Sequence, residues 1–320
     1  MEKSCSRTFL VRRDGLCYNT TKGGGFVPRI ARTRGVKGEA SMCALTALLY
    51  LCARTMLRLA ASALARGGVS ELTGELLQLL VSIGSFAVPM AFLLSATRLE
   101  QADLRLTKPA PWSPVFIVPV FLGVANAGNL LGGLLSVLMG TGASGTQLPE
   151  NGAALVLGFF VLCAVPAVCE ELLFRGAMQG LMRPCGSAAA IFGPALLFAL
   201  LHGDLVQGLT AFVCAIFLGW LAERTGSILP GMLLHFLNNC LAFLSLYLRQ
   251  FAPGGVAVWA ELFILVGFPL WALWLLYQAW RQGFRWSAGL RPGVDVLSVF
   301  TSPAYTVGVL FLLILCIPVG

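Results

Sequence analysis

Residues 152–175 read GAALVLGFFVLCAVPAVCEELLFR. Eighteen uncharged residues run straight into two adjacent carboxylates, Glu170 and Glu171, and Arg175 follows one helical turn later. A helical membrane span needs about 20 mostly apolar residues. Ionisable groups are costly inside such a span and mark function by default. This stretch is therefore read as a membrane helix that carries chemistry.

The rest of the chain extends the same reading. Hydrophobic residues make up 58% of the 320 and charged residues 11%, with a mean hydropathy of +0.83. A soluble domain would carry about a quarter charged residues, so that class is excluded. Apolar segments run near 43–65, 76–97, 113–139, 152–176, 188–203, 206–222, 228–248, 256–280 and 297–319. Two are short, and 43–65 carries Arg54 and Arg58 in mid-segment, each costing about 3 kcal/mol at the bilayer centre. The expected fold is all-α: a polytopic integral membrane protein of about eight transmembrane helices (seven to nine) around a four-helix catalytic core.

Charge divides the chain in two. Residues 1–41 hold nine Lys/Arg against three acids, most of the net +8. That segment reads as a basic, disordered cytoplasmic extension, and 42–320 as the transmembrane domain with its catalytic core at 152–248. The extension lacks the apolar region of a cleavable signal peptide, and Met42 is an alternative start. The basic head is a topology determinant rather than a nucleic-acid arm. Basic residues recur at Arg98, Arg105, Lys108, Arg183, Arg224, Arg281, Arg285 and Arg291, in alternate loops, which places the N-terminus in the cytoplasm. The expected setting is a bacterial-type plasma membrane. Of ten cysteines, seven lie in apolar segments and no C-x-x-C occurs, so neither a disulfide framework nor a cysteine-based zinc site is expected.

Both histidines of the chain, His202 and His235, sit in apolar surroundings, in F-A-L-L-H at 198–202 and H-F-L-N-N at 235–239. Phe198 and His202 are four apart, as are His235 and Asn239 and also Glu171 and Arg175, so each pair shares a helix face. Glu171 is expected to pair with Arg175. Glu170, about 100° around the helix, is left to face the histidines. Glu170 and His202 both lie about 20 Å from the basic boundary, and His235 about 12 Å. They converge on a common wet pocket provided the helix of Glu170 continues past Arg175. Such a set suits hydrolysis of a peptide bond. A carboxylate and an imidazole can deprotonate water, while a second imidazole and a carboxamide donate to the oxyanion.

The three motifs, E-E-L-L-F-R, F-A-L-L-H and H-F-L-N-N, resemble in order, spacing and setting those of the CAAX protease and bacteriocin-processing family of intramembrane glutamic endopeptidases, over roughly residues 152–248. The resemblance implies that Glu170 and His202 activate water, that His235 and Asn239 stabilise the oxyanion, and that Glu171, Arg175 and Phe198 support the site. No metal and no cofactor are expected. The expected partners are the bilayer and a membrane-associated peptide or protein, with or without a lipid of its own. Asn238 competes with Asn239 for its role. Asp204 reads as a loop residue, and Glu261 has no motif context. Two other readings compete: a non-catalytic immunity or transport protein using the same groups as a proton relay, and a zinc-dependent protease. The latter lacks the H-E-x-x-H helix.

Overall fold

The computed structural model describes residues 8–11, 17–20, 35–97, 99–140, 147–283 and 289–317. The membrane domain is all-α. Its helices are α1 (Gly35–Leu64), α2 (Glu71–Ala96), α3 (Pro114–Met139), α4 (Gly152–Cys185), α5 (Ser187–Leu200), α6 (Leu205–Thr225), α7 (Leu229–Phe251), α8 (Gly254–Arg281) and α9 (Pro303–Leu315). Seven are long and apolar enough to cross a bilayer; α5 and α9 are shorter. In the basic head, Thr8–Val11 and Cys17–Thr20 pair as an antiparallel ribbon; much of the head, with Arg98 and Arg285, lies outside the described residues.

Local chemistry sets the helix ends. Asn151 caps α4 by accepting from the backbone N–H of Ala153 and Ala154. Asp204 caps α6, accepting from Gln207 N at 2.7 Å, a typical N-cap use of a short carboxylate. Lipid-facing helix surfaces stay apolar, as on α8, where Trp259, Phe263 and Leu273 are all exposed. Without a hydrophobic drive between helices, close approach relies on small residues. A Cβ on Gly132 of α3 would stand 3.0 Å from Val206 O of α6, and one on Gly128 would stand 3.2 Å from the Thr210 backbone.

The two ends of the bundle differ. At one end Glu223, near the close of α6, accepts from Arg183 Nε and Arg105 Nη1 (both 3.0 Å), Arg291 Nη2 (2.8 Å), Gln179 Nε2 (3.0 Å) and Ser187 Oγ (3.2 Å). Five separate pieces of chain meet at that carboxylate, and we call this end the basic face. Backbone bonds from Ile228 N to Arg105 O and from Ser187 N to Arg291 O brace it further. Burial draws the Arg105 guanidinium below its usual range, with Glu223 opposing that shift. At the other end Glu71 accepts from Glu150 N and Asn151 N, and Gln250 bonds Leu148 through both N–H and C=O. Glu261, unexplained by motif, pairs with Arg249.

α4 connects the two faces. Its residues from Gly152 to Cys185 make about 50 Å of helix, longer than the roughly 30 Å hydrocarbon core. The helix continues unbroken past Arg175, which is the condition the convergence argument required.

Candidate active site

The turn that carries the acids is not plain α-helix. Glu171–Met178 forms a π-helical segment that follows directly on Glu170. Such widened turns are rare and occur frequently at functional sites. Glu171 is fully buried, and Arg175 is 2% exposed. Arg175 Nη1 lies 2.7 Å from Glu171 Oε1, at an angle short of hydrogen-bond alignment. The Arg175 guanidinium also stands 4.7 Å from the Phe198 ring centroid, a favourable face for a desolvated cation.

Glu171 does more than pair with Arg175. The same Oε1 is 3.1 Å from His235 Nδ1, so the carboxylate orients an imidazole from α7. On the other side of that ring, His235 Nε2 is 3.8 Å from Glu170 Oε2. His235 therefore stands between the two adjacent carboxylates. Glu170 is the more open of the pair, its side chain 23% exposed against 0% for Glu171. Gly231, one turn before His235, permits this approach: a Cβ there would sit 3.0 Å from Glu171 Oε2.

His202 lies just beyond the end of α5. Its Nδ1 is 2.9 Å from Phe198 O. A carbonyl only accepts, so Nδ1 carries the hydrogen and the neutral ring keeps a lone pair on Nε2. Phe198 is the common wall, with ring centroids 4.9 Å from His202, 6.3 Å from His235 and 4.9 Å from Phe174, all edge-on. Among the described residues no hydrogen bond joins Glu170 to His202 directly.

Two cavities flank these groups. One, of about 240 Å³, is lined by His202, His235, Asn238 and Asn239. The other, of about 430 Å³, has Glu170 in its wall, with Cys169 and Tyr50, Arg54 and Arg58 of α1. The single pocket expected from the sequence is thus divided. Glu170 and Glu171 are neighbours on one helix and point in different directions around it, and the His235 ring stands where the two spaces approach. Asn238 and Asn239 both line the first cavity, so position alone does not choose between them.

Several lining residues carry no motif. Asn126 and Asn129 of α3, with Gln207 and Thr210 of α6, line the first cavity. Asn126 is 3% exposed and donates to Leu122 O at 2.9 Å. The available signal was their polarity inside otherwise apolar segments. Arg54 and Arg58, which looked like flaws in the first span, line the Glu170 cavity. No group of three or more His, Cys, Asp or Glu with metal-site geometry occurs among the described residues.

Fold and site together define a polytopic helical membrane protein with a carboxylate–imidazole cluster within its bundle. Residues 152–241 match the family model described as type II CAAX prenyl endopeptidase Rce1-like. That window holds all three motifs, agrees with the resemblance they carry, and supports a membrane protease in general. No curated protein matches the chain. No solved structure matches it either.

Proposed function

We propose that this protein is an intramembrane endopeptidase that hydrolyses a peptide bond of a membrane-associated peptide or protein. The observation that carries the reading is the placement of His235. From α7 it stands 3.1 Å from Glu171 and 3.8 Å from Glu170, the two acids of the α4 turn that also supplies Arg175.

In this reading Glu170, open to a cavity, and His202, with its free Nε2 lone pair, take the proton of the attacking water. The hydroxide adds to the scissile carbonyl, and the proton passes to the leaving amine. Asn239 donates its amide hydrogen to the oxyanion in any protonation state. His235 differs. Its Nδ1–H is committed to the Glu171 carboxylate, so Nε2 donates to the oxyanion only when the ring carries its second proton. Glu171, Arg175 and Phe198 hold the rings in place and do not touch substrate.

We read the setting as a bacterial-type plasma membrane, and the distribution of basic residues supports a cytoplasmic N-terminus within it. Arg105, Arg183 and Arg291 converge on Glu223 at one face, with Lys108 in a link and Arg224 in the last turn of α6 at the same end. An excess of basic residues marks the cytoplasmic side. The domain division at residue 42 and the core at 152–248 belong to the same reading, although α1 opens at Gly35.

The decisive experiment is cleavage of a panel of membrane-anchored peptides, lipidated and unlipidated, in liposomes, comparing the wild type with Glu170→Gln. Hydrolysis by the wild type and none by the variant is expected. Equal turnover would remove Glu170 from its role. Lipidated and unlipidated arms decide whether the substrate is of the prenylated CAAX type.

A further inference from the structure

The two cavities share a direction. On α1 the larger one is lined from Tyr50 to Arg58, a rise of about 12 Å, and on α2 from Ser85 to Glu75, about 15 Å. It ends beside Gln147, Leu148 and Pro149 in the α3–α4 link. α1 leaves the basic face, α2 returns to it, and that link lies at the far end. The cavity therefore extends from Glu170 toward the face opposite Glu223.

The smaller cavity runs the same way. Its lining on α7 proceeds from His235 to Ser245, and on α6 from Leu218 back to Gln207 near the Asp204 cap. No residue from the links α2–α3, α4–α5, α6–α7 or α8–α9, which compose the basic face, lines either space among the described residues.

Between the acids and the basic face the protein is filled. Phe174, Ala177, Met178 and Met182 are each no more than 2% exposed. Beside them Gln179 donates to Gly219 O at 3.0 Å and to Glu223, and Arg183 closes the column. A tightly packed interior of this kind transmits no peptide.

We infer that the catalytic groups are reached from the side of the membrane opposite the basic loops, so that the substrate is an exported or outer-leaflet-anchored peptide presented from the extracytoplasmic face. The throat leading to Glu170 suits such a guest. Arg54, Arg58, Glu75, Gln78 and Ser82 line it and offer donors and acceptors to an extended peptide backbone. This inference rests on the proposed catalytic role of Glu170 and on the proposed cytoplasmic placement of the basic loops.

The test is thiol accessibility in sealed vesicles of defined orientation, using a charged, membrane-impermeant methanethiosulfonate and peptide mapping. Cys169 is a native thiol in the Glu170 cavity; Ser82→Cys adds a second reporter, and Lys108→Cys marks the basic face. Cys169 and Ser82→Cys should be modified in right-side-out vesicles and protected in inverted ones, with Lys108→Cys showing the reverse. Modification of the cavity reporters from inverted vesicles, from both kinds, or from neither overturns the inference. The labelling is scored without activity, so an unaltered Glu170→Gln turnover would overturn the catalytic reading separately.

Discussion

Glu170 and Glu171 are chemically identical neighbours, yet their conversion to glutamine should separate activity from stability. Glu171 is fully buried, 2.7 Å from Arg175 and 3.1 Å from His235 Nδ1. Glu171→Gln keeps the volume but leaves the Arg175 cation, 2% exposed, without a counter-charge. Removing one partner of a buried pair costs about 3–5 kcal/mol. At roughly 2–4 °C per kcal/mol for a chain of this size, the melting midpoint should fall on the order of 10 °C. Among the described residues Glu170 has one ion-pair partner, His235 at 3.8 Å, and its side chain is 23% exposed, so Glu170→Gln should change stability by about 1 kcal/mol at most. Thermal unfolding in detergent, followed by reactivity of the buried thiols, measures both variants, and liposome cleavage measures turnover. The expected pattern is an inactive, normally stable Glu170→Gln and a destabilised Glu171→Gln. Equal midpoints for the two variants, or a Glu170→Gln that melts first, would refute the division of labour argued from burial.

Further outcomes follow from other contacts. Gly231→Val should lower kcat with KM little changed, because its side chain meets Glu171 Oε2 and displaces the group that holds His235; Gly231→Ala, meeting that oxygen at 3.0 Å, should do so less. A variant with unchanged kcat would detach that contact from catalysis. Glu223→Gln leaves Arg105, Arg183 and Arg291 without their carboxylate, and should lower the midpoint as much as Glu171→Gln does; an unchanged midpoint shows that the basic face does not brace the fold. Asp204→Ala removes the α6 cap and should cost about 1 kcal/mol, read as a small midpoint shift beside the Glu223 variant. Treatment with a chelator should leave turnover intact if carboxylate and imidazole alone activate water; loss restored by added zinc would transfer the role to metal.

Much was legible in the chain itself, for a physical reason. Membrane helices are specified by length and hydropathy, which are local properties, so the nine apolar runs reappear as helices, seven of them of spanning length among the described residues. The Glu171–Arg175 pairing was equally local, since four residues of helix bring the two together. The three motifs were conspicuous because ionisable groups are rare in such surroundings.

Only the tertiary structure could decide what lies between those motifs. That Glu171 holds His235 as well as Arg175 depends on α7 crossing α4 at Gly231, a contact between residues 64 apart in sequence. That Glu170 opens on one cavity while His202, His235 and Asn239 open on another depends on how α1, α2 and α3 pack around the core. α1 contributes Arg54 and Arg58, and α3 Asn126, through positions that no spacing rule marks. Hydropathy says which segments enter the bilayer. It carries no record of which polar face meets which, because in lipid that choice is made by close packing and by hydrogen bonds between helices distant along the chain.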